Sequence, residues 1–489
     1  MKGVYSASEI RAAERAAFDG GETEDGLIER AADALAAEVG KLNFARAVIF
    51  AGGGNNGSDA LSLALRLIRK GIATVIFPVG ARRNEYVEKR LAALAAMNAD
   101  VRDLTSANEI GLKGDDLVID GMLGIGCARE VTGLLADIIN KINASACTVV
   151  AVDIPTGLNA DTGRVMGVAV EADMTVTFSA LKQGLLLADG RNYTGNVTVC
   201  EIGLDLPAPR AWLLEAADIT LPKRKPVSNK GTYGNVAVIA GSPTMIGASL
   251  LAHESALAAL RSGAGYAMLC VPDSLKPVYQ SRVKEELLRF MPDSDGKILF
   301  DPAALDGLLT QARAIVIGMG LGKNEEIIKI IRYLAQNYGG ALMIDGDGLN
   351  ALAAQPAAVD GHKCKLILTP HVREFARLET GVFGRESAAP DTVRCAALAA
   401  KLNAVVAMKS ATTVVSDGKT VMLNTTGTPA MAKAGSGDVL GGMTGAFAAT
   451  ADPLTAMLRA CYEFGKAGER AAAERGETSV LASDIIVRL

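Results

Sequence analysis

The chain has 489 residues, a length that favours two domains over a single core. Hydrophobic residues make up 49% and charged residues 21% of the sequence, as is typical of globular proteins. The formal net charge of −4, with basic residues spread along both halves, argues against a nucleic-acid-binding face, and an aromatic content of 4% argues against a surface that stacks single-stranded bases.

The N-terminal segment has no apolar signal core, and Ser6 to Glu9 fits a helix-capping box. No run of about 18 apolar residues predicts a membrane span. Seven cysteines are scattered along the chain without a C-x-x-C pair, which predicts reduced thiols. We therefore expect a soluble cytoplasmic protein that does not bind membranes, and its alanine-rich helices suggest a homo-oligomer.

The first half alternates short, apolar, β-branched runs with helical patterns. This alternation predicts an α/β domain with a parallel sheet covered on both faces. The predicted strands are 46–51, 73–79, 116–123, 148–155, 173–180 and 196–202.

A proline-rich, basic segment, 206–234, interrupts this pattern. The second half then resumes it, and most of its strands end in glycine or a polar residue at the edge where open α/β sheets bind ligands. The predicted strands are 234–242, 266–272, 314–322, 341–350, 365–371 and 403–416. We expect an N-terminal domain over 1–210, a linker over 211–224 and a C-terminal domain over 225–489.

The first strand is followed by "GGGNNGSDAL", in which Gly52, Gly54 and Gly57 match G-x-G-x-x-G. A phosphate-binding P-loop is excluded because Ser58 and Asp59 stand where Lys and Ser/Thr belong. An ordinary dinucleotide site is disfavoured because the next strand ends in "FPVGARR", without the ribose-binding acid.

Polar side chains follow three predicted strands of this domain. Asn55, Asn56 and Asp59 follow the first, Asp120 ends another, and Asp153 and Thr156 follow a third. Carboxylate, amide and hydroxyl oxygens suit a hard cation beside a ligand, although each residue alone is equally suited to helix capping. Three such corners together favour a site.

The segments "LIERAADALA", "GGGNNGSDAL", "VIDGMLGIG", "VDIPTGLNADTG", "TFSALKQGL" and "GNVTVCEIG" occur in the order of the YjeF N-terminal domain. Over about 5–205 the chain resembles NAD(P)H-hydrate epimerases, which have a Rossmann-like three-layer αβα fold. That family interconverts the R and S forms of NAD(P)HX, the nicotinamide ring hydrated at C6, and uses a potassium ion.

The resemblance implies that Asn56, Asp120 and Thr156 bind potassium. It also implies substrate contacts, and Asp153 is our candidate base for the proton transfer. The implied substrate-binding residues are Asn55, Asn56, Gly57, Ser58, Asp59, Gly124, Ile125, Gly126, Cys127, Ala128, Arg129, Glu130 and Asp153. Ser58 and Ala60 replace family glycines, and Ser58 is expected to narrow the approach to phosphate. Thr156 replaces the commoner serine and keeps its hydroxyl.

In the second half, "AMAKAGSGDVLGGMTGAF" places Gly435 and Gly437 at a helix start, which forms an anion pocket. Asp438 lies in the first turn, where an acid is favoured in any helix. This motif is similar to the G-x-G-D of ribokinase-like phosphotransferases, whose aspartate takes the proton of the attacking hydroxyl. With "GMGLG", "DGDGLN" and "TPHVREFARL", the segment from about 225 resembles ADP- or ATP-dependent NAD(P)H-hydrate dehydratases, which implies a ribokinase-like αβα domain.

By that resemblance Gly320, His371 and Asp438 bind the S epimer, and Asp438 is catalytic. Asp347, Asn350 and Glu374 match family positions that serve magnesium or support the site. The implied nucleotide-binding residues are Lys409, Ser410, Ala411, Thr412, Thr413 and Gly437. Arg373 and Ser410 depart from family glycines.

The sequence thus predicts a bifunctional repair enzyme for NADHX and NADPHX that uses ADP or ATP, potassium and magnesium. One alternative is a ribokinase-like kinase of a small molecule such as a vitamin precursor. In another, the first domain is a non-catalytic ligand-binding or scaffold module.

Overall fold

A computed structural model describes residues 1–220, 223–243 and 246–489. The chain forms two compact units, Gly3–Arg210 and Ala211–Leu489, the latter together with Met1–Lys2. Among the described helices, none combines the length and the apolarity needed to cross a bilayer.

The N-terminal unit contains nine strands and six helices. The strands are β1 (Lys2–Tyr5), β2 (Arg46–Ala51), β3 (Thr74–Pro78), β4 (Asp100–Val101), β5 (Asp116–Gly121), β6 (Thr148–Val152), β7 (Met174–Phe178), β8 (Leu181–Lys182) and β9 (Asn196–Cys200). The helices are α1 (Ala7–Asp19), α2 (Glu24–Val39), α3 (Asn55–Arg69), α4 (Glu85–Ala96), α5 (Leu134–Asn143) and α6 (Gly190–Tyr193).

Seven of these strands form one sheet in the order β4-β3-β2-β5-β6-β7-β9, with every neighbouring pair parallel. Alternate residues of β2 point to opposite faces. Ile49 packs in a core with α2, α3 and α4, whereas Phe50 packs in a second core with α5. The predicted three-layer αβα arrangement is therefore confirmed.

Helix α1 begins as its sequence indicates. Ser6 Oγ accepts a hydrogen bond from the backbone N–H of Glu9, and the Glu9 carboxylate accepts one from the backbone N–H of Ser6. The capping box is confirmed, and two backbone donors of the first turn are satisfied.

The described residues of the C-terminal unit form twelve strands and ten α-helices. The strands are β10 (Ala211–Leu213), β11 (Asn235–Ile239), β12 (Tyr266–Pro272), β13 (Leu287–Met291), β14 (Asp293–Ser294), β15 (Lys297–Ile298), β16 (Ala314–Ile317), β17 (Ala341–Ile344), β18 (Lys365–Leu368), β19 (Val405–Met408), β20 (Thr413–Ser416) and β21 (Val421–Asn424). The helices are α7 (Ile246–Arg261), α8 (Lys276–Gln280), α9 (Pro302–Gln311), α10 (Glu326–Asn337), α11 (Gly346–Ala354), α12 (Val372–Phe383), α13 (Asp391–Leu402), α14 (Ser436–Ala448), α15 (Pro453–Arg475) and α16 (Ala482–Ile486).

The main sheet of this unit has the order β13-β12-β11-β16-β17-β18-β19-β20-β21-β10. Its pairs are parallel from β13 to β19, as the sequence predicts, and α7, α14 and α15 share a core with one face. On α11, Gly348 lies against Ile317 and Ile344 of the sheet. The predicted α/β class holds here as well.

The predicted strand 403–416 is instead two strands, β19 and β20, which pair antiparallel and continue antiparallel into β21. The four residues between β19 and β20 are too few for a parallel crossover, which needs a dozen or more. This short loop holds Lys409 to Thr412.

Part of the predicted linker 211–224 belongs to the C-terminal unit. Residues Ala211–Leu213 form β10 and pair in parallel with β21. Three residues are too short to show the alternation on which a strand prediction depends. Residues 221 and 222 of that linker lie outside the described residues.

Candidate active sites

A cavity of about 940 Å³ lies in the N-terminal unit. Residues directly after β2, β3, β5, β6 and β7 line it, so it occupies the carboxyl edge of the sheet where α/β proteins bind ligands. The structure brings these predicted site residues to its wall: Asn55, Asn56, Asp59, Gly124, Ile125, Gly126 and Asp153.

The glycine loop after β2 presents the start of α3 to this cavity. Gly54 is the N-cap of the helix, and no atom lies within 4 Å of the position that a Cβ would take there. Asn55 Oδ1 accepts a hydrogen bond from Asn84 Nδ2 at 2.8 Å, and Asn56 Nδ2 donates to the Leu123 carbonyl at 2.9 Å. The free N–H groups of the first turn make this edge a favourable place for phosphate oxygens.

Gly57 and Ser58 do not line the cavity. A Cβ at Gly57 would lie 1.9 Å from the carbonyl oxygen of Gly52, so this glycine serves the close packing of helix on strand. Ser58 is fully buried, and its hydroxyl donates to the Gly54 carbonyl at 3.4 Å. Its expected position beside the phosphate is therefore corrected: Asn55, Asn56 and Asp59 lie on the cavity side of α3.

The segment Cys127 to Glu130 also lies outside the cavity lining. Cys127 is buried, and burial raises the pKa of its thiol. Ala128, Arg129 and Glu130 are exposed. The chain turns away from the cavity after Gly126, where the Cys127 N–H donates to the Gly124 carbonyl.

Asp120, Thr156 and Asn56, the predicted potassium ligands, meet around the carbonyl of Leu123. Thr156 Oγ1 donates to Asp120 Oδ1 at 2.6 Å and lies 3.4 Å from the Leu123 oxygen, to which Asn56 also donates. Asp120 is fully buried, and this burial raises the pKa of its carboxyl to about 6, against the opposing hydrogen bonds of Thr156 and Met122. The donor set is one carboxylate, one hydroxyl, one amide and one carbonyl.

These are all oxygen donors, which a hard monovalent cation prefers. The described residues contain no cluster of three or more His, Cys, Asp or Glu side chains that could hold a metal. The chemistry of the donors around Leu123 fits potassium better than a transition metal.

Asp153 occupies an unusual position at the end of β6. Its backbone φ is +64°, a left-handed conformation that non-glycine residues rarely adopt. Its Oδ1 accepts hydrogen bonds from Lys182 Nζ at 2.5 Å, from Thr177 Oγ1 at 3.1 Å and from the Phe178 N–H at 3.1 Å. Within the described residues these contacts all fall on Oδ1, so Oδ2 is left for a ligand.

Lys182 was missed in the sequence, although it lies in the quoted "TFSALKQGL" segment. Its side chain is 1% exposed and it also donates to the Phe178 carbonyl at 2.7 Å. A buried lysine requires a compensating partner, and Asp153 is that partner. Its position in a short segment directly after a predicted strand is the feature of the sequence that could have indicated a role in the site.

Two further carboxyl groups line the same cavity. Burial first, and then the charge of Asp153, raise the pKa of Asp59 well above its usual range, and the same two causes raise the pKa of Glu14. Asp59 has no hydrogen bond or ion pair in the parts of the chain that the structure describes. The cavity therefore holds the carboxyl group of Asp153, which is paired with a lysine, together with two carboxyl groups whose pKa values are raised.

The second site lies at the start of α14. Gly435 is the N-cap with φ +90°, and Asp438 stands in the first turn. Burial, and then the charge of Asp345, raise the pKa of the Asp438 carboxyl to about 7, and the charge of Lys409 opposes this shift. A carboxylate whose pKa lies near neutral pH is well matched to general base catalysis.

Lys409 is held beside this helix by Asp345. Its Nζ donates to both carboxylate oxygens of Asp345, at 2.8 and 3.1 Å. A Cβ at Gly437 would lie 3.5 Å from Lys409 Nζ, so the ammonium faces the glycine at the helix start. Asp345, which follows β17 directly, was overlooked in favour of Asp347.

His371 and Glu374 form a capping box at the start of α12. Glu374 Oε2 accepts the N–H of His371 at 2.9 Å, and His371 Nδ1 accepts the N–H groups of Arg373 and Glu374. Burial and then Lys409 lower the pKa of His371, whereas burial and then Asp345 raise the pKa of Glu374. His371 pairs with Lys409 through a β-bridge, so it belongs to the same edge.

The other predicted residues of this half are more dispersed. Gly320 has φ +60° and lies against the backbone of Ala248 and Ser249 on α7. Asp347 Oδ2 accepts the N–H of Gly322 at 2.8 Å, and Asn350 is exposed.

The predicted nucleotide-binding segment is the loop between β19 and β20. Ser410 Oγ donates to the Thr412 carbonyl at 2.5 Å. Ser410 and Ala411 are exposed, Thr412 is buried and Thr413 begins β20.

Comparison with known proteins identifies both halves. The NAD(P)H-hydrate dehydratase family model matches residues 236–489, and the model of the YjeF-related protein N-terminus matches residues 24–184. The bifunctional NAD(P)H-hydrate repair enzyme of Moorella thermoacetica is 34% identical over 91% of this chain and 87% of its own length. The chain belongs to this bifunctional repair enzyme family.

Two further similarities extend the comparison. The repair enzyme of Thermofilum pendens is 34% identical over 97% of this chain and 93% of its own length. The solved structure of the ADP/ATP-dependent NAD(P)H-hydrate dehydratase of Bacillus subtilis covers 55% of this chain and 92% of its own, with 30% identity and a TM-score of 0.45. The repair-enzyme relatives span both units, so an epimerase domain and a dehydratase domain stand in one chain.

Proposed function

We propose that the N-terminal unit interconverts the R and S forms of NADHX and NADPHX in its cavity, and that the C-terminal unit dehydrates the S form with ADP or ATP. The observation that carries the proposal is that each unit places a carboxylate beside a lysine where its sheet meets a helix start. Lys182 contacts Asp153 directly, whereas Lys409 is bound to Asp345 and acts on the nearby Asp438 only through its charge.

In the epimerase site, Asp153 is proposed to accept the proton of the C6 hydroxyl as the C6–N1 bond breaks, which forms an aldehyde at C6 and leaves the electron pair on the ring nitrogen. The nitrogen then attacks the opposite face of the aldehyde, the C6–N1 bond forms again with inverted configuration, and Asp153 returns the proton to the oxygen. Its Oδ2 is the oxygen that faces the substrate, because Lys182, Thr177 and the Phe178 N–H occupy Oδ1. Asp59, buried in the same wall, supplies a second carboxyl, whose pKa burial raises well above its usual range.

In the dehydratase site, Asp438 is proposed to take the proton of the C6 hydroxyl as that oxygen bonds to the terminal phosphorus of the nucleotide. The bond from this phosphorus to the shortened nucleotide breaks. The ring nitrogen then donates its electron pair, the C6–O bond breaks with phosphate as the leaving group, and loss of a C5 proton to water restores the dihydronicotinamide. Lys409 and the N–H groups at the start of α14 bind the phosphates.

Each unit is proposed to use a cation. In the N-terminal unit Asn56, Asp120 and Thr156, with the Leu123 carbonyl, would hold potassium, which supplies positive charge beside the hydrated ring. In the C-terminal unit Asp345 and Asp438 offer carboxylate oxygens for magnesium, which commonly binds one or two carboxylates together with substrate phosphates. Asp347 and Glu374, the positions matched to magnesium in the sequence, each accept a backbone N–H through one carboxylate oxygen, whereas both oxygens of Asp345 accept from Lys409. Magnesium would compete with these contacts at any of the three residues.

We further propose that the protein acts in the cytoplasm and as a homo-oligomer. Seven free cysteines, six of them buried, suit a reducing compartment. Alanine-rich helices, as in α2 and α15, are the support for subunit packing. Sedimentation of the purified chain measures the oligomeric state.

A single coupled assay tests both activities. Purified R- and S-NADHX are incubated separately with the chain, and recovery of the absorbance of reduced nicotinamide is followed with ADP, with ATP and with neither. We expect the S form to be consumed at once and the R form after a delay set by epimerisation. A stable phosphorylated product without recovery of NADH would instead favour a small-molecule kinase.

The epimerase is tested separately by leaving out the nucleotide. The change from R to S is then followed by chromatography, with Asp153→Asn and Asn56→Ala as variants. If both variants interconvert the epimers as fast as the unaltered chain, the N-terminal unit is a binding module and its proposed catalysis is wrong.

A further inference from the structure

The cavity of the N-terminal unit reaches beyond the residues that the proposed chemistry uses. At one end lie Asp153 and Lys182, after β6 and β7, and at the other end lies the segment Val79 to Arg82, after β3. β3 and β6 are separated by three strand spacings, on the order of 14 Å. A ligand that fills the cavity is therefore elongated, with two ends in different chemical surroundings.

The start of α3 lies between these two ends. The loop after β3 is packed against the glycine loop, because the Asn84 N–H donates to the Gly53 carbonyl at 2.9 Å and a Cβ at Gly53 would lie 1.7 Å from the Arg82 carbonyl. Phosphates at the helix start place one nucleoside of a dinucleotide at Asp153 and the other at the β3 loop. The reacting nicotinamide belongs at Asp153, so the adenosine ribose belongs near Arg82.

Arg82 is the basic residue of the cavity wall at the β3 end, and within the described residues its charge is not neutralised by an acidic partner. Of the other basic residues in the cavity wall, Lys182 is paired with Asp153 and Arg11 donates to the Ile125 carbonyl at 3.0 Å. Within the described residues, the Arg82 guanidinium makes no hydrogen bond or ion pair. A guanidinium recognises a phosphate monoester with two parallel hydrogen bonds.

In dinucleotide sites built on a similar parallel sheet, the residues at the end of the second strand contact the adenosine ribose. There the end of the second strand carries an acid that binds the ribose 2′-hydroxyl, or an arginine nearby that accommodates a 2′-phosphate. Here β3 is that neighbouring strand, and "VGARR" follows it without an acid.

We propose that Arg82 is a specificity-determining residue that binds the 2′-phosphate of the adenosine ribose, so that the epimerase prefers NADPHX to NADHX. This inference rests on the proposed function of the N-terminal unit and adds the choice between its two substrates. The attraction is electrostatic at an exposed guanidinium, so the preference decreases as salt concentration rises.

Arg83 provides a matched control. It has the same charge and is the next residue, but it does not line the cavity, and its guanidinium lies 3.9 Å from Glu88 and 3.8 Å from Asp103. The intact chain and the Arg82→Ala, Arg82→Glu and Arg83→Ala variants are assayed for R-to-S conversion of NADPHX and NADHX without nucleotide, so that the dehydratase does not turn over.

For Arg82→Ala we expect the ratio of kcat/KM for NADPHX to that for NADHX to fall about tenfold, mainly through KM. Arg82→Glu should lower the ratio further, and Arg83→Ala should leave it within about twofold. If Arg82→Ala leaves the ratio unchanged, or lowers kcat/KM equally for both substrates, the inference about Arg82 is wrong, although the proposed epimerase activity of the unaltered chain still stands.

Binding of NADP+ and NAD+ to the same variants, measured by calorimetry, is the second readout. This binding measurement tests the role of Arg82 even if the chain converts neither hydrate. In that case the proposed epimerase activity would be wrong, but the inference about Arg82 could still be judged. A weakened affinity for NADP+ alone in Arg82→Ala supports the inference, and equal affinities in Arg82→Ala and the unaltered chain contradict it.

Discussion

The two sites use the same pair of residue types in different ways. In the N-terminal unit the lysine is bound to the carboxylate that we assign to the chemistry, since Lys182 lies 2.5 Å from Asp153. In the C-terminal unit Lys409 is bound to Asp345, and Asp438 is left with a pKa of about 7. A lysine can thus pair directly with the base, or it can pair with a neighbouring carboxylate beside a base whose pKa lies near 7.

This difference gives the two activities different sensitivities. Loss of Lys182 leaves the partly buried carboxylate of Asp153 without its ion-pair partner, and so affects the position of Asp153. Loss of a charge near Asp438 changes the pH at which that base ionises. The predictions below test this contrast.

The largest effect is expected from Asp438→Asn. An amide cannot accept the hydroxyl proton, so dehydration of S-NADHX should slow by about 10³-fold or more. Epimerisation without nucleotide should be unchanged, which is the internal control. If the variant retains more than a tenth of the dehydratase rate, Asp438 is not the base.

The same variant tests how much the ionised carboxylate of Asp438 destabilises the folded state. The pKa of Asp438 is higher in the folded chain than the usual value near 4, so ionisation destabilises the folded state increasingly as pH rises from about 4 to about 7. Asp438→Asn should therefore raise Tm at pH 8, and this gain should disappear near pH 4. A gain that does not depend on pH would contradict the assignment.

A smaller loss is expected from Lys182→Met, which keeps the length of the side chain and removes its charge. Epimerisation should fall by about 10²-fold, and the free energy of unfolding should decrease by about 3 kcal/mol, because the partly buried Asp153 loses its ion-pair partner and keeps only the hydrogen bonds of Thr177 and the Phe178 N–H. Urea unfolding and the R-to-S assay measure the two effects. Lys409→Met, whose lysine is 21% exposed, is the matched control and should cost less stability.

A moderate shift is expected from Asp345→Asn. The negative charge of Asp345 raises the pKa of Asp438, so its removal should lower that pKa. The pH at half-maximal dehydratase rate should move from about 7 to a more acidic value, by about one pH unit or less. A pH profile of kcat measures it, and movement in the alkaline direction would show that Asp345 does not act through charge.

The smallest effect is expected from Ser58→Gly, which restores the glycine usual in the family. Because Ser58 is buried away from the cavity, KM for either hydrate should stay within about twofold. A glycine inside α3 should lower stability by about 1 kcal/mol. A large change in KM would place Ser58 in the site after all.

Much of the fold could be predicted because its signals are local. Apolar β-branched runs indicated β2, β5 and β16, and the Ser6–Glu9 spacing indicated the start of α1. β10 and β21 were missed because strands of three or four residues are too short to show a period.

The site was predicted less completely because its pairings are not local. Asp345 and Lys409 are 64 residues apart, and Lys182 reaches Asp153 across 29 residues. Carboxylates at strand ends could be recognised, but which lysine compensates which carboxylate depends on tertiary packing. The orientation of Ser58 likewise depends on which side of α3 meets the sheet, and the loop motif does not reveal this.

Each of the two sites is built within one unit: the cavity from residues between Ile10 and Leu204, and the cluster around Asp438 from residues beyond Ala211. The described residues of the peptide connection therefore contribute no functional group to either of these clusters. Its consequence is stoichiometric, since every translated chain delivers one epimerase and one dehydratase. A cell that makes this protein cannot accumulate one activity without the other, and the ratio of the two can change only through their turnover numbers.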